Sequence, residues 1–228
     1  MSHTIALVRH GTVAVRRAGG LSRNDFMRFI VAYDAAPLRD GTCPPPPLAA
    51  RVRQTRTVFT SSLRRTADSL RLLWPDSSAV ADSLFDEEPH CCVPHLPGRV
   101  PLFLWFTVSR CLGVAKPALL HGMRARADAA AERLIGSSAH RLIGAAQAGP
   151  VALIGHEWFN RALAKSLAAR GWRLSEAGGW SANWSFQIFA PPPNAVAWTD
   201  VGAEQPPSGS CEGARGQAKP AARHRAAT

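Results

Sequence analysis

The stretch Thr4-Ile5-Ala6-Leu7-Val8-Arg9-His10-Gly11 opens on five apolar or β-branched residues and then turns abruptly to an arginine, a histidine and a glycine. A short run of this kind reads as a strand buried on both faces, ending in a loop that carries charge. Two later runs repeat the pattern. Arg56-Thr57-Val58-Phe59-Thr60 ends in Ser61-Ser62, and Val151-Ala152-Leu153-Ile154, entered from Gly149-Pro150, ends in Gly155-His156. Each leads into a helical pattern. Leu63, Ala67, Leu70 and Leu73 recur at helical spacing until Pro75 stops them, and Phe159, Ala162, Leu163, Ser166 and Leu167 form one face, with Gly171 where a C-terminal cap belongs. Buried strands alternating with amphipathic helices predict an α/β domain, a three-layer sandwich with a central, mostly parallel sheet flanked by helices.

Other segments are placed around this frame. Residues 79–84 are expected to form a further strand, and 123–146 a long Ala-rich helix with Gly136 as its weak point. Residues 185–189 and 195–198, separated by Pro191-Pro192-Pro193-Asn194, read as an antiparallel edge hairpin. Pro44 to Pro47 read as a rigid spacer before a short helix over 48–53. The most apolar stretch, 100–114, reads as a core helix; the alternative is a cap whose Phe103, Trp105 and Phe106 line a pocket for an apolar leaving group. Beyond Val201 no Val, Ile, Leu, Met or aromatic residue occurs. Residues 1–201 are therefore expected to form the domain, and 202–228 a disordered basic tail.

The chain has 228 residues, of which 46% are hydrophobic and 19% charged, ordinary values for a globular protein. Its formal charge of +11 comes from 27 basic residues against 16 acids, and Lys occurs only at 116, 165 and 219, so 24 of the 27 are arginine. These arginines are scattered rather than gathered in a block, so the charge by itself says that anions are welcome and little more. The apolar run 100–108 is too short to cross a bilayer, and residues 1–4 do not read as a secretory signal, so a cytoplasmic address without membrane attachment is expected. Cys43, Cys91, Cys92, Cys111 and Cys211 are odd in number and contain no CxxC pair, which argues against a disulfide framework. Metal is not expected at Cys91-Cys92, where the spacing from His90 and His95 suits no common site.

His10 and His156 stand at matching places, each just past a buried strand, on the sheet edge where ligands of open α/β sheets bind. Arg9 precedes the first, Glu157 and a helix start follow the second, and Arg65 lies in the first turn after Ser61-Ser62. Two guanidinium forks, two imidazoles and helix N-termini make a cage for a phosphoryl group. At this point the sequence resembles a known family. Leu7-Val8-Arg9-His10-Gly11 is similar to the signature of the histidine phosphatase superfamily, in its phosphoglycerate-mutase-like branch. Three further pieces match in order: Ser61-Ser62-Leu63-Arg64-Arg65, Leu84-Phe85-Asp86-Glu87 and Leu153-Ile154-Gly155-His156.

The resemblance implies a phosphomonoesterase that needs no metal or other cofactor. His10 would be the nucleophile, forming a phosphohistidine. Arg9, Arg65 and His156 would hold the equatorial oxygens, and Thr12 would donate a hydrogen bond to the phosphate. Glu87 would be the proton donor, with Asp86 and Glu88 as alternatives. The partner would be a small phosphorylated substrate or a phosphoprotein. Phosphatase is favoured over mutase, because Thr12-Val13 stand where the mutase-type continuation would be. Glu157 departs from the family's usual glycine, and with the altered loop it motivates an alternative: a member that binds a phosphorylated ligand without turnover. A nucleic-acid-binding protein that uses the arginine excess is a further, separate reading.

Overall fold

The computed structural model describes residues 3–15, 19–88, 93–138, 149–180 and 182–193. In chain order the strands are β1 (Ile5–Arg9), β2 (Gly20–Leu21), β3 (Thr57–Thr60), β4 (Val80–Ala81), β5 (Val100–Pro101), β6 (Val151–Gly155), β7 (Arg173–Gly178) and β8 (Phe186–Ala190). The helices are α1 (Arg23–Ala35), α2 (Pro46–Arg53), α3 (Arg64–Leu73), α4 (Leu102–Val114), α5 (Pro117–Ser138) and α6 (Glu157–Ala169). Six strands form the main sheet in the order β4-β3-β6-β1-β8-β7. β4, β3, β6 and β1 are mutually parallel; β8 returns antiparallel to β1, and β7 antiparallel to β8. β2 and β5 make a separate antiparallel pair.

Strand alternation sorts the core into two halves. Ile5, Leu7, Val151 and Leu153 pack with Ala130 and Leu134 of α5 and with Leu163 and Leu167 of α6. Ala6, Val8, Ala152 and Ile154 pack on the opposite face with Leu48 and Val52 of α2 and Leu70 and Leu73 of α3. The α/β sandwich expected from the sequence is thus present, with helices on both faces of a mostly parallel sheet. Because β1, β3 and β6 run in parallel and in register, with Ile5 and Thr57 both opposite Val151, their ends bring His10, Ser61 and His156 to one edge.

A third, smaller cluster holds α1 against α4, where Phe26 stacks on Trp105 with 5.2 Å between ring centres. The helix expected over 100–114 therefore exists, but its buried aromatic packs on α1 rather than on the sheet, and Phe103 is 71% exposed. Among the described residues no single helix is long and apolar enough to cross a bilayer; α4 and α5 satisfy that test only together, bent by 90°.

Several expectations need correction. Only Val80–Ala81 of 79–84 is strand; the Asp82 side chain then accepts the Leu84 N–H and turns Ser83–Phe85 into a 3₁₀ turn. The long helix begins at Pro117, six residues early, and runs through Gly136 without a break. β8 does not lie at the sheet's edge: it lies inside the sheet, between β1 and the preceding strand β7. Pro46 and Pro47 belong to the first turn of α2 rather than to a spacer, since a proline there forfeits no helical hydrogen bond. α1 and the β2–β5 pair were not expected at all. The tail 202–228, the segment 195–198, His90, Cys91 and Cys92 lie outside the described residues, as does the end of the expected long helix.

Candidate active site

His10 is the first residue past β1 and is 3% exposed. Its backbone N–H is held by the Gly155 carbonyl at 3.1 Å, tying the loop to the end of β6. Its ring Nδ1 lies 2.7 Å from the Gly11 carbonyl oxygen. A carbonyl only accepts, so Nδ1 carries the proton. Burial first, and then the charge of Arg65, lowers the imidazole pKa from 6.5 to about 3. The ring is therefore neutral at pH 7, with its lone pair on Nε2. Asn183 fixes the loop by donating to the His10 and Gly11 carbonyls at 3.1 and 3.0 Å, and Ser69 accepts the Gly11 N–H at 2.9 Å. Gly11 has to be glycine for reasons of space, because a Cβ there would stand 2.5 Å from the Trp184 ring.

His156 immediately precedes α6 and is fully buried, its ring centre 5.3 Å from that of His10. Arg65 Nε donates to its Nδ1 at 3.3 Å. A guanidinium only donates, so Nδ1 is bare and the proton sits on Nε2, which donates to Ser61 Oγ at 2.7 Å. Burial foremost, then Arg65 and His10, pushes this imidazole well below its ordinary pKa, so it too is neutral. In this state both nitrogens of His156 are engaged within the protein rather than aimed at a phosphate.

The two arginines each meet a carboxylate. Arg65, 2% exposed, donates to Asp34 at 2.8 Å and lies over the Tyr33 ring at 5.0 Å, both from α1. Arg9 pairs with Glu157 at 3.1 Å, and Glu157 also holds Arg161 at 2.6 Å. The unusual residue after the second histidine thus faces the first arginine.

Of the three candidate acids, Asp86 is spent on the start of α3, accepting from Ser62 N and Oγ at 2.7 Å each. Glu88 pairs with Arg126 at 2.5 Å. Glu87 lies by the N-terminus of α6, accepting the Trp158 N–H at 3.4 Å, with Arg110 of α4 at 3.8 Å. Thr12 is held by its carbonyl, which accepts the Arg39 N–H at 2.7 Å; its hydroxyl takes no part in the bonds linking the histidines.

The structure therefore brings His10, His156 and Arg65 into one buried cluster and sets Arg9 and Glu87 beside the start of α6. Sequence reasoning missed Ser61, Asp34, Tyr33, Asn183 and Arg110. Asp34 and Tyr33 had a signal: Ser22-Arg23-Asn24-Asp25 is a capping box, and Phe26, Phe29, Ile30 and Tyr33 follow at helical spacing. Arg110 had none, since it sits in an apolar stretch far from the acid in sequence. Among the described residues no three of His, Cys, Asp or Glu gather closely enough to hold a metal ion.

No protein-family model and no curated protein matches the chain in sequence. Solved structures do resemble it. A protein described as mycobacterial hydrolase 1 is 19% identical, with a TM-score of 0.49 over 82% of this chain and 88% of that one. The phosphoserine phosphatase of Entamoeba histolytica, as a mutant with phosphoserine, is 11% identical, with a TM-score of 0.45 over 81% of this chain and 89% of that one. A mycobacterial glucosyl-3-phosphoglycerate phosphatase is 18% identical, with a TM-score of 0.41 over 82% and 90%.

Proposed function

We propose that this chain is a histidine phosphatase that hydrolyses a small phosphomonoester through a phosphohistidine on His10. The carrying observation is the Nδ1–H of a buried, neutral His10 on the Gly11 carbonyl, which leaves Nε2 as an unprotonated nucleophile beside Arg65. In the first step a bond forms from Nε2 to phosphorus, the bond from phosphorus to the leaving oxygen breaks, and Glu87 gives that oxygen a proton. In the second, water attacks phosphorus, its proton goes to Glu87, and the nitrogen–phosphorus bond breaks to release inorganic phosphate. Arg9 and Arg65 supply the positive charge that the phosphoryl oxygens need, a role metal ions fill in other enzymes. His156 acts as a positioning residue: locked by Ser61, it presents Nδ1 to Arg65 Nε and fixes the plane of the fork.

A second reading, phosphate binding without turnover, draws on the two carboxylates at the arginines. Asp34 and Glu157 occupy donors that a phosphoryl group would use, and a ligand must displace them. Turnover of 4-nitrophenyl phosphate distinguishes the two readings. The wild-type protein is expected to release nitrophenolate, and His10→Ala to lose at least about a thousandfold in kcat. A wild-type protein that binds phosphate without releasing nitrophenolate would favour the second reading.

A further inference from the structure

A groove of about 1060 Å³ runs between α5, α6 and the adjoining ends of β7 and β8. It contains neither active-site histidine, yet it starts where they end. Arg9, one residue before His10, lies in its wall, as do Glu157 and Trp158, the two residues after His156. Strand alternation accounts for this: Leu7 packs on the α5–α6 side of the sheet, and Arg9, two residues on, pairs with Glu157 of α6.

The charges in the groove do not balance. Its two acids are satisfied, Glu157 by Arg9 and Arg161, and Asp128 by Ser166 and Arg170. Two cations facing it, Arg124 on α5 and Lys165 on α6, have no carboxylate among the described residues. Lys165 lies eight residues along α6 from Glu157, about 12 Å of helix. The wall along that length includes Leu7, Ala127, Ala162 and Phe186.

We propose that this groove holds the alcohol part of the substrate, and that the substrate is an extended phosphomonoester with an apolar body and a second anionic group at its far end. The inference rests on the proposed phosphatase reading, and the position of the acid gives it direction. Glu87, which protonates the leaving oxygen, bonds to the Trp158 backbone, and the Trp158 side chain lines the groove between the Arg110 and Arg161 guanidinium groups at 5.6 and 5.8 Å. The leaving oxygen therefore sits at the groove's mouth. Its carbon skeleton continues along the apolar wall, and its distal anion meets Arg124 and Lys165. The chain's own segment 202–228 is the wrong complement, with four basic residues against two acids.

Two non-hydrolysable probes test this by calorimetry: 11-phosphonoundecanoic acid, and undecylphosphonic acid, which has the same chain without the distal carboxylate. The wild-type protein is expected to bind the first at least about fivefold more tightly. The charge-reversed variant Arg124→Glu/Lys165→Glu is expected to abolish that preference while its urea midpoint stays close to that of the wild type, which shows that it is folded. Equal affinity for the two probes, binding of neither, or a preference that survives charge reversal overturns the proposal. Failure of the phosphatase reading shows separately, as absent turnover of 4-nitrophenyl phosphate.

Discussion

The His10 ring is held by a hydrogen bond of only one residue's reach, and the same burial that keeps it neutral makes it a liability at low pH. Its pKa in the folded protein is about 3, against 6.5 ordinarily, with desolvation as the first cause and Arg65 as the second. Between those values the unfolded chain binds a proton that the folded chain refuses. Stability linked to His10 is therefore complete above pH 6.5 and is lost as pH falls toward 3. From pH 7 to pH 4.5 this one site accounts for about 2 to 3 kcal/mol. Urea unfolding at those two pH values measures it: the loss is expected to be smaller by that amount in His10→Asn than in wild type. An equal loss in both would mean that the imidazole is not held neutral. The arginine–carboxylate pairs belong to this scale as well. Glu157→Gln removes the competitor at Arg9, and because that pair is partly exposed the gain is modest. KM for 4-nitrophenyl phosphate is expected to fall about two- to fivefold, whereas an unchanged KM would separate Arg9 from phosphate binding.

At the scale of the element, α1 illustrates how a short helix becomes part of the candidate site. Its start is fixed by Ser22, whose hydroxyl accepts the Asp25 N–H while the Asp25 carboxylate reaches back to the Ser22 N–H. Its end carries Tyr33 and Asp34 onto Arg65. Losing the cap in Ser22→Ala is expected to cost about 1 kcal/mol, measured as a lower denaturant midpoint at unchanged m value; no change in midpoint would show that α4, not the cap, holds α1. The same helix shows what can be read from sequence and what cannot. β1, β3 and β6 were legible because a strand buried on both faces has to be a continuous apolar run, and such runs have few other readings. β7 was not, because it lies at the sheet edge and is exposed along almost its whole length, so its mixed sequence, with Arg173, Ser175 and Glu176 beside Leu174 and Ala177, carries no apolar run. α1 carried its capping signal openly, but its apolar residues pack on α4 rather than on the sheet, so it did not fit the strand–helix alternation that organised the reading. The two histidines and Arg65 were visible because parallel strands deliver their ends to one edge. Asn183 and Arg110 reach that edge through a loop and a satellite cluster, which no spacing in the chain reveals, whereas Asp34 arrives on α1, whose signal was there but went unread.

Across the whole molecule, the charge of +11 is less available than it looks. Arg28, Arg64, Arg71 and Arg170 are paired to acids on nearby turns or on a packed helix, and Arg51 reaches Glu176 of β7. Arg9 and Arg65 are committed to the histidine edge, while Arg124 and Lys165 face the groove beside it. Positive charge thus gathers around a pocket of small-molecule size, which suits a phosphorylated metabolite better than a polyanion backbone. The same arrangement accounts for the two carboxylates there: Asp34 gives the buried Arg65 a counter-charge, and Glu157 does so for the partly exposed Arg9. The central claim, that phosphoryl transfer passes through His10, is tested most directly by intact-protein mass spectrometry of enzyme mixed with 4-nitrophenyl phosphate and quenched in alkali. The expected result is a mass increment of one phosphoryl group that survives alkali, is lost in acid and is absent from His10→Ala. An increment that resists acid, or one that persists in His10→Ala, would contradict it.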